Sequence, residues 1–179
     1  MNGWFILVAY LAAVNPARIR PYMSGEDERA DSRHLLAGAV MVMAAGVVLA
    51  VAGGSILDWL DITDETWHLG AGVVCGFVGA RMLVAPQFAE MPPPGDTLLV
   101  PVAFPLLFTP QLAVLAILFG ATELFAIASG GLAVAVGIGA AAGLMRHRRP
   151  ALWAAVARLT GAVLIMAAVA LIVAGIRDV

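Results

Sequence analysis

The sequence predicts an all-α membrane protein of six transmembrane helices, built as two inverted three-helix repeats with helices 1 and 4 interrupted near the midplane. Three observations predict it. Hydrophobic residues make up 62% of the 179, and charged residues 12%, about half the usual share for a soluble domain. Apolar runs of membrane length recur along the whole chain, leaving no stretch for a soluble domain, so residues 1–179 form a single membrane domain. Two of those runs carry a proline at corresponding places, Asn15-Pro16 and Thr109-Pro110. Proline inside a helix removes a backbone bond and frees a carbonyl. In hydrocarbon that gap is tolerated only where protein or a water-filled cavity satisfies the freed group.

The first segment begins near Trp4. No basic residue precedes its apolar stretch 3–14 and no small-residue cleavage site follows, which argues against a cleaved signal peptide. It reaches spanning length only by continuing past Pro16. The second runs from His34 to Leu57, and the third from Thr66 to Ala85 with His68 and Arg81 near its ends. The fourth, Thr97 to Ala121, holds Pro101, Pro105 and Pro110. The fifth is Leu124 to Met145, opened by Thr122-Glu123, where Glu123 reads as a first-turn carboxylate favoured by the helix dipole. The sixth is Leu159 to Ile176, with Arg158 just outside it.

Arginines set the expected orientation, since the chain has no lysine. Arg18, Arg20, Arg29 and Arg33 fall in the first loop, Arg81 lies toward the third, and Arg146, Arg148, Arg149 and Arg158 flank the fifth. Positive residues stay cytoplasmic, so those loops face the cytoplasm and both termini are extracytoplasmic, in the inner (plasma) membrane. Trp4, Trp59, Trp67 and Trp153 fall near segment ends, as an aromatic belt requires. Glycines in the third and fifth segments suit close helix contacts. The lone Cys75 excludes an internal disulfide.

The third and sixth segments open alike, His68-Leu69-Gly70-Ala71-Gly72 and Arg158-Leu159-Thr160-Gly161-Ala162, 90 positions apart. Pro16 and Pro110 are 94 apart. Two repeats follow, roughly 1–90 and 96–179, joined by the linker 86–96 with its Pro92-Pro93-Pro94-Gly95 run. Three helices per repeat place the second upside down relative to the first, a common transporter architecture. Chance likeness among Gly/Ala-rich apolar sequences is the plainer alternative.

Paired interruptions point to a solute site. The candidate substrate-binding residues are Asn15, Pro16, Thr109, Pro110 and Gln111. A zwitterion's carboxylate suits the positive N-terminal end of a half-helix, and its ammonium suits freed carbonyls at a C-terminal end. No charged side chain is needed for that, and none lies near the centre of any segment. The bland alternative is a packing kink in which Asn15 merely bonds carbonyls that Pro16 frees.

Four local patterns resemble the MarC family of integral membrane proteins, also called the neutral amino acid transporter family. They are Val14-Asn15-Pro16 with Pro21; Trp67-His68-Leu69-Gly70-Ala71-Gly72; Val100-Pro101-Val102-Ala103-Phe104-Pro105-Leu106-Leu107; and Arg158-Leu159-Thr160-Gly161 followed by Gly175-Ile176. Their order and spacing hold along the chain. The resemblance implies six helices and secondary transport of a small neutral solute such as glycine or alanine, with a proton or sodium as coupling ion. One departure stands out: family members usually carry Gly-Pro-Gly where this chain has Thr109-Pro110-Gln111. The alternatives are a non-transporting membrane scaffold or partner subunit, and an exporter of another small metabolite.

Other classes find no support in the residues. There is no basic stripe for nucleic acid. No His/Cys/Asp/Glu cluster has metal-ligand spacing, and there is no activated serine context and no phosphate loop. The expectation is a non-enzyme with no catalytic residue, no cofactor and no metal, whose partners are the bilayer, a solute and a coupling ion.

Overall fold

The computed structural model describes residues 2–15, 17, 28–85, 108–144 and 150–177. Among them the chain is all-helical, with no strand. The helices are α1 (Gly3–Val14), α2 (Glu28–Leu60), α3 (Asp64–Val84), α4 (Pro110–Thr122), α5 (Phe125–Leu144) and α6 (Pro150–Arg177). Four hold a stretch long and apolar enough to cross a membrane: Leu35–Leu60, Asp64–Val84, Phe125–Ala142 and Ala151–Arg177. This is a multi-pass membrane protein. With 12 and 13 residues, α1 and α4 are about 18 and 20 Å long at 1.5 Å per residue, short of the ~30 Å hydrocarbon thickness. The two short helices are the ones that Asn15-Pro16 follows and Thr109-Pro110 opens. Their continuations, residues 18–27 and 86–107, and the linker lie outside the described residues.

Besides the charged start of α2, three boundaries differ from the sequence expectation, each for a physical reason. Pro110 is not inside a helix but at the first position of α4, where its missing N–H costs nothing. Glu123 does not open the fifth helix. It caps the end of the fourth, its N–H donating to Phe119 O at 3.1 Å, and α5 starts only after Leu124. The sixth helix starts at Pro150 instead of Leu159. Arg158 interrupts the apolar run, yet it sits on the exposed face of α6 and leaves the backbone pattern intact.

The helices pack α3 on α6, α2 on α4, α1 and α2 each on α5, with α3–α4, α1–α6, α1–α4 and α4–α5 contacts completing the bundle. Small residues bring backbones together. A Cβ on Gly79 would come 2.8 Å from Gly161 O, one on Gly72 2.9 Å from Ala168 O, and one on Gly175 2.7 Å from Glu65 O. These three points run the length of an antiparallel α3–α6 seam. Gly120 lies against the Ala50 backbone and Gly53 against Ile117 O, joining α2 and α4. Gly70, Gly130 and Gly137, by contrast, face open space.

The bundle has two unlike ends. One gathers the starts of α1 and α3 and the ends of α2, α4 and α6, with Asp58, Asp61, Asp64, Glu65 and Glu123. The other holds Arg33, Arg81 and Arg158, all exposed. Trp4 and Trp59, exposed by 78% and 83%, mark the acidic end, while Trp67 and Trp153 are half-buried. His68 bonds back to Asp64 O through Nδ1 at 2.7 Å.

Candidate functional site

Helix α1 stops because of two adjacent residues. Asn15 takes a left-handed conformation (φ 43°, ψ 82°), which asparagine tolerates better than most residues, and its N–H closes the last turn on Leu11 O at 3.3 Å. Pro16 follows in sequence but lies outside the described residues. The start of α4 is written with equal economy. Thr109 is the N-cap, its Oγ1 accepting from Leu112 N–H at 3.3 Å, and Pro110 is the first helical residue.

The fold brings these two ends side by side. Ala13 O, which in an unbroken helix would take the N–H of residue 17, accepts instead from Thr109 Oγ1 at 3.2 Å and Gln111 Nε2 at 3.0 Å. The helices run antiparallel, since Phe5 and Tyr10 meet Phe119 further along. Hence the negative carbonyl end of α1 and the positive N–H end of α4 share one level. Asn15, Thr109 and Gln111, exposed by 0%, 0% and 1%, are the buried polar side chains among the described residues. Three of the five sequence-selected residues therefore converge. Pro110 does not join them: its ring is exposed.

Two further helices reach the junction. Thr160 of α6 has its hydroxyl 3.4 Å from Asn15 Oδ1, but also 2.9 Å from Ala157 O and 3.0 Å from Val156 O. A hydroxyl has one proton, and the shorter bonds to its own helix are the better ones. Met82 of α3 offers its sulfur to Asn15 Nδ2 at 3.7 Å, a weak acceptor. Sequence reasoning did not select either residue. Thr160 was findable, as the one polar side chain in the closing apolar run from Leu159 to Ile176. Met82 gave no signal, because nothing separates it from an ordinary core methionine.

The amide of Asn15 is thus wholly buried yet weakly held, with a thioether on one side and a distant hydroxyl on the other. The depth of the junction depends on which helix measures it. Along α1 it lies about 18 Å from Gly3, a little past halfway through the core. Along α3 it lies at Met82, in the last turn and toward the arginine-bearing end. Among the described residues no group of three His, Cys, Asp or Glu side chains is placed to hold a metal. No protein-family model matches the chain, and neither a curated protein nor a solved structure matches it. The likeness to the MarC family therefore rests on the four sequence patterns alone.

Proposed function

We propose that the protein is a secondary transporter of a small, neutral solute such as glycine or alanine, of the MarC type. The observation that carries this reading is the Asn15 amide: buried, weakly engaged and set between a carbonyl end and an N–H end. Buried amides normally find strong partners, because an unmet donor costs ~1–3 kcal/mol. Asn15 has hydrogen-bonding capacity to spare where a zwitterion's two charges would find opposite helix poles.

We also read the chain as an inverted repeat, on the third and sixth segments that open alike and on the α3–α6 and α2–α5 pairings, each of which an exchange of the two halves maps onto itself. We place the arginine-bearing end in the cytoplasm and both termini outside, on the positive-inside rule, in the plasma membrane. The coupling ion is a proton or sodium.

Uptake of labelled glycine and alanine into vesicles reconstituted with the purified protein tests the reading. Saturable uptake that Asn15→Gly abolishes is the expected result, since glycine keeps the left-handed turn and removes only the amide. Folded protein with no saturable uptake of any small amino acid would sink it. A second reading has its own observation. Ala13 O is already satisfied by Thr109 and Gln111, as it would be in a scaffold or partner subunit whose break is purely structural. Under that reading Asn15→Gly, which keeps the left-handed turn and removes only the amide, leaves every phenotype of the parent intact.

A further inference from the structure

Between the polar junction and the acidic end of the bundle, three aromatic rings pack along the α1–α4 contact. Phe119 of α4 meets Tyr10 at 5.3 Å between ring centres and Phe5 at 6.3 Å, with interplanar angles of 83° and 84°. Edge-to-face contacts of this kind hold rings firmly without interlocking them. Tyr10 and Phe119 are fully buried and Phe5 is half-buried. Behind Tyr10, α5 presents Gly131, where even a Cβ would come 3.4 Å from the Tyr10 ring. The ring thus has the bare side of a neighbouring helix at its back.

Tyr10 carries a hydroxyl where a plain filler would carry none, and that hydroxyl is buried with no hydrogen-bond partner. It is the one buried side-chain polar atom among the described residues in that condition. Such a group is unfavourable in a sealed interior and favourable once a partner arrives.

We propose that Phe5, Tyr10 and Phe119 form the seal that closes the polar junction from the acidic end of the bundle, and that the Tyr10 hydroxyl meets water or solute when the rings part. The hydroxyl weakens the shut state relative to the open one, so it biases the seal toward opening. The proposal deepens the transport reading and rests on it for its purpose. Its test uses no solute, so the two fail separately.

The test is the reactivity of a cysteine at the junction. In a Cys75→Ala, Gln111→Cys background, which keeps the Thr109 cap and its bond to Ala13 O, a membrane-impermeant methanethiosulfonate reagent is applied to vesicles of each orientation. Phe119→Ala speeds modification on the order of tenfold from the side of the acidic end, and leaves the rate from the other side unchanged. Phe119→Leu, which keeps most of the volume and protects against unfolding, gives a smaller acceleration on the same side. Tyr10→Phe slows modification from that side several-fold, because the shut seal no longer buries an unpaired hydroxyl. Unchanged rates in both Phe119 variants overturn the proposal. So does equal acceleration from both sides, or a Tyr10→Phe rate at or above that of the parent.

Discussion

At the scale of single residues, the junction separates groups that hold the fold from one that is underused. Thr109 both caps α4 and crosses to α1, so Thr109→Ala removes two bonds and leaves buried partners unmet. A loss of ~2–3 kcal/mol is expected in thermal unfolding of the purified protein, with Thr109→Ser close to the parent. Gln111→Ala leaves Ala13 O one donor and costs less, ~1 kcal/mol by the same measurement. Asn15 is different, because its backbone conformation and its amide do separate jobs. Asn15→Gly keeps the left-handed turn and stays within ~1 kcal/mol of the parent, yet loses uptake; Asn15→Val loses the fold as well, since a β-branched residue resists that conformation. Much of this was legible beforehand. Asn-Pro and Thr-Pro each spell a helix boundary, and a polar side chain in an apolar run has few places to go. The pairing of Thr109 and Gln111 on one carbonyl was not, because it depends on how two helices 96 positions apart line up.

At the scale of elements, apolar runs of membrane length located every helix and misjudged the ends that charge disguises. Arg158 hid the first two turns of α6, and the charged stretch Glu28–Arg33 hid the start of α2. Nor does composition distinguish a glycine at a helix contact from one facing outward. Gly120 sits on the Ala50 backbone, which has no flexible end to yield, whereas Gly70 and Gly137 meet nothing. Accordingly Gly120→Ala should abolish the monodisperse peak in fluorescence-detected size-exclusion chromatography, a destabilisation above ~3 kcal/mol. Gly70→Ala and Gly137→Ala should elute as the parent does, with a slight gain from helix propensity.

At the scale of the whole molecule, Asp58, Asp61, Asp64, Glu65 and Glu123 gather at one end beside Arg177, and exposed Arg33, Arg81 and Arg158 at the other, where the sequence at the start of α2 also carries Glu28 and Asp31. On the orientation proposed here, cysteines at Asn2 and Asp61 react with an impermeant reagent from outside the cell, and those at Arg33 and Arg158 only after the membrane is opened. The reverse pattern would invert the orientation while leaving the fold as described. Fold class was readable from composition because lipid demands it; the seal and the junction were not, because both arise only where α1 and α4 meet. That meeting has a consequence for how the protein is made. Ala13 and Asn15 emerge early in synthesis, but their partners Met82, Thr109, Gln111 and Thr160 lie 67, 96, 98 and 145 positions downstream. Contacts so distant in sequence form late and slowly. The first helix in this sequence is then secured only after two more have been made, waiting at the membrane with an uncapped polar end until α4 is in place. A nascent chain halted before Thr109 would still display that end to the cell's quality-control machinery, and a completed one would not.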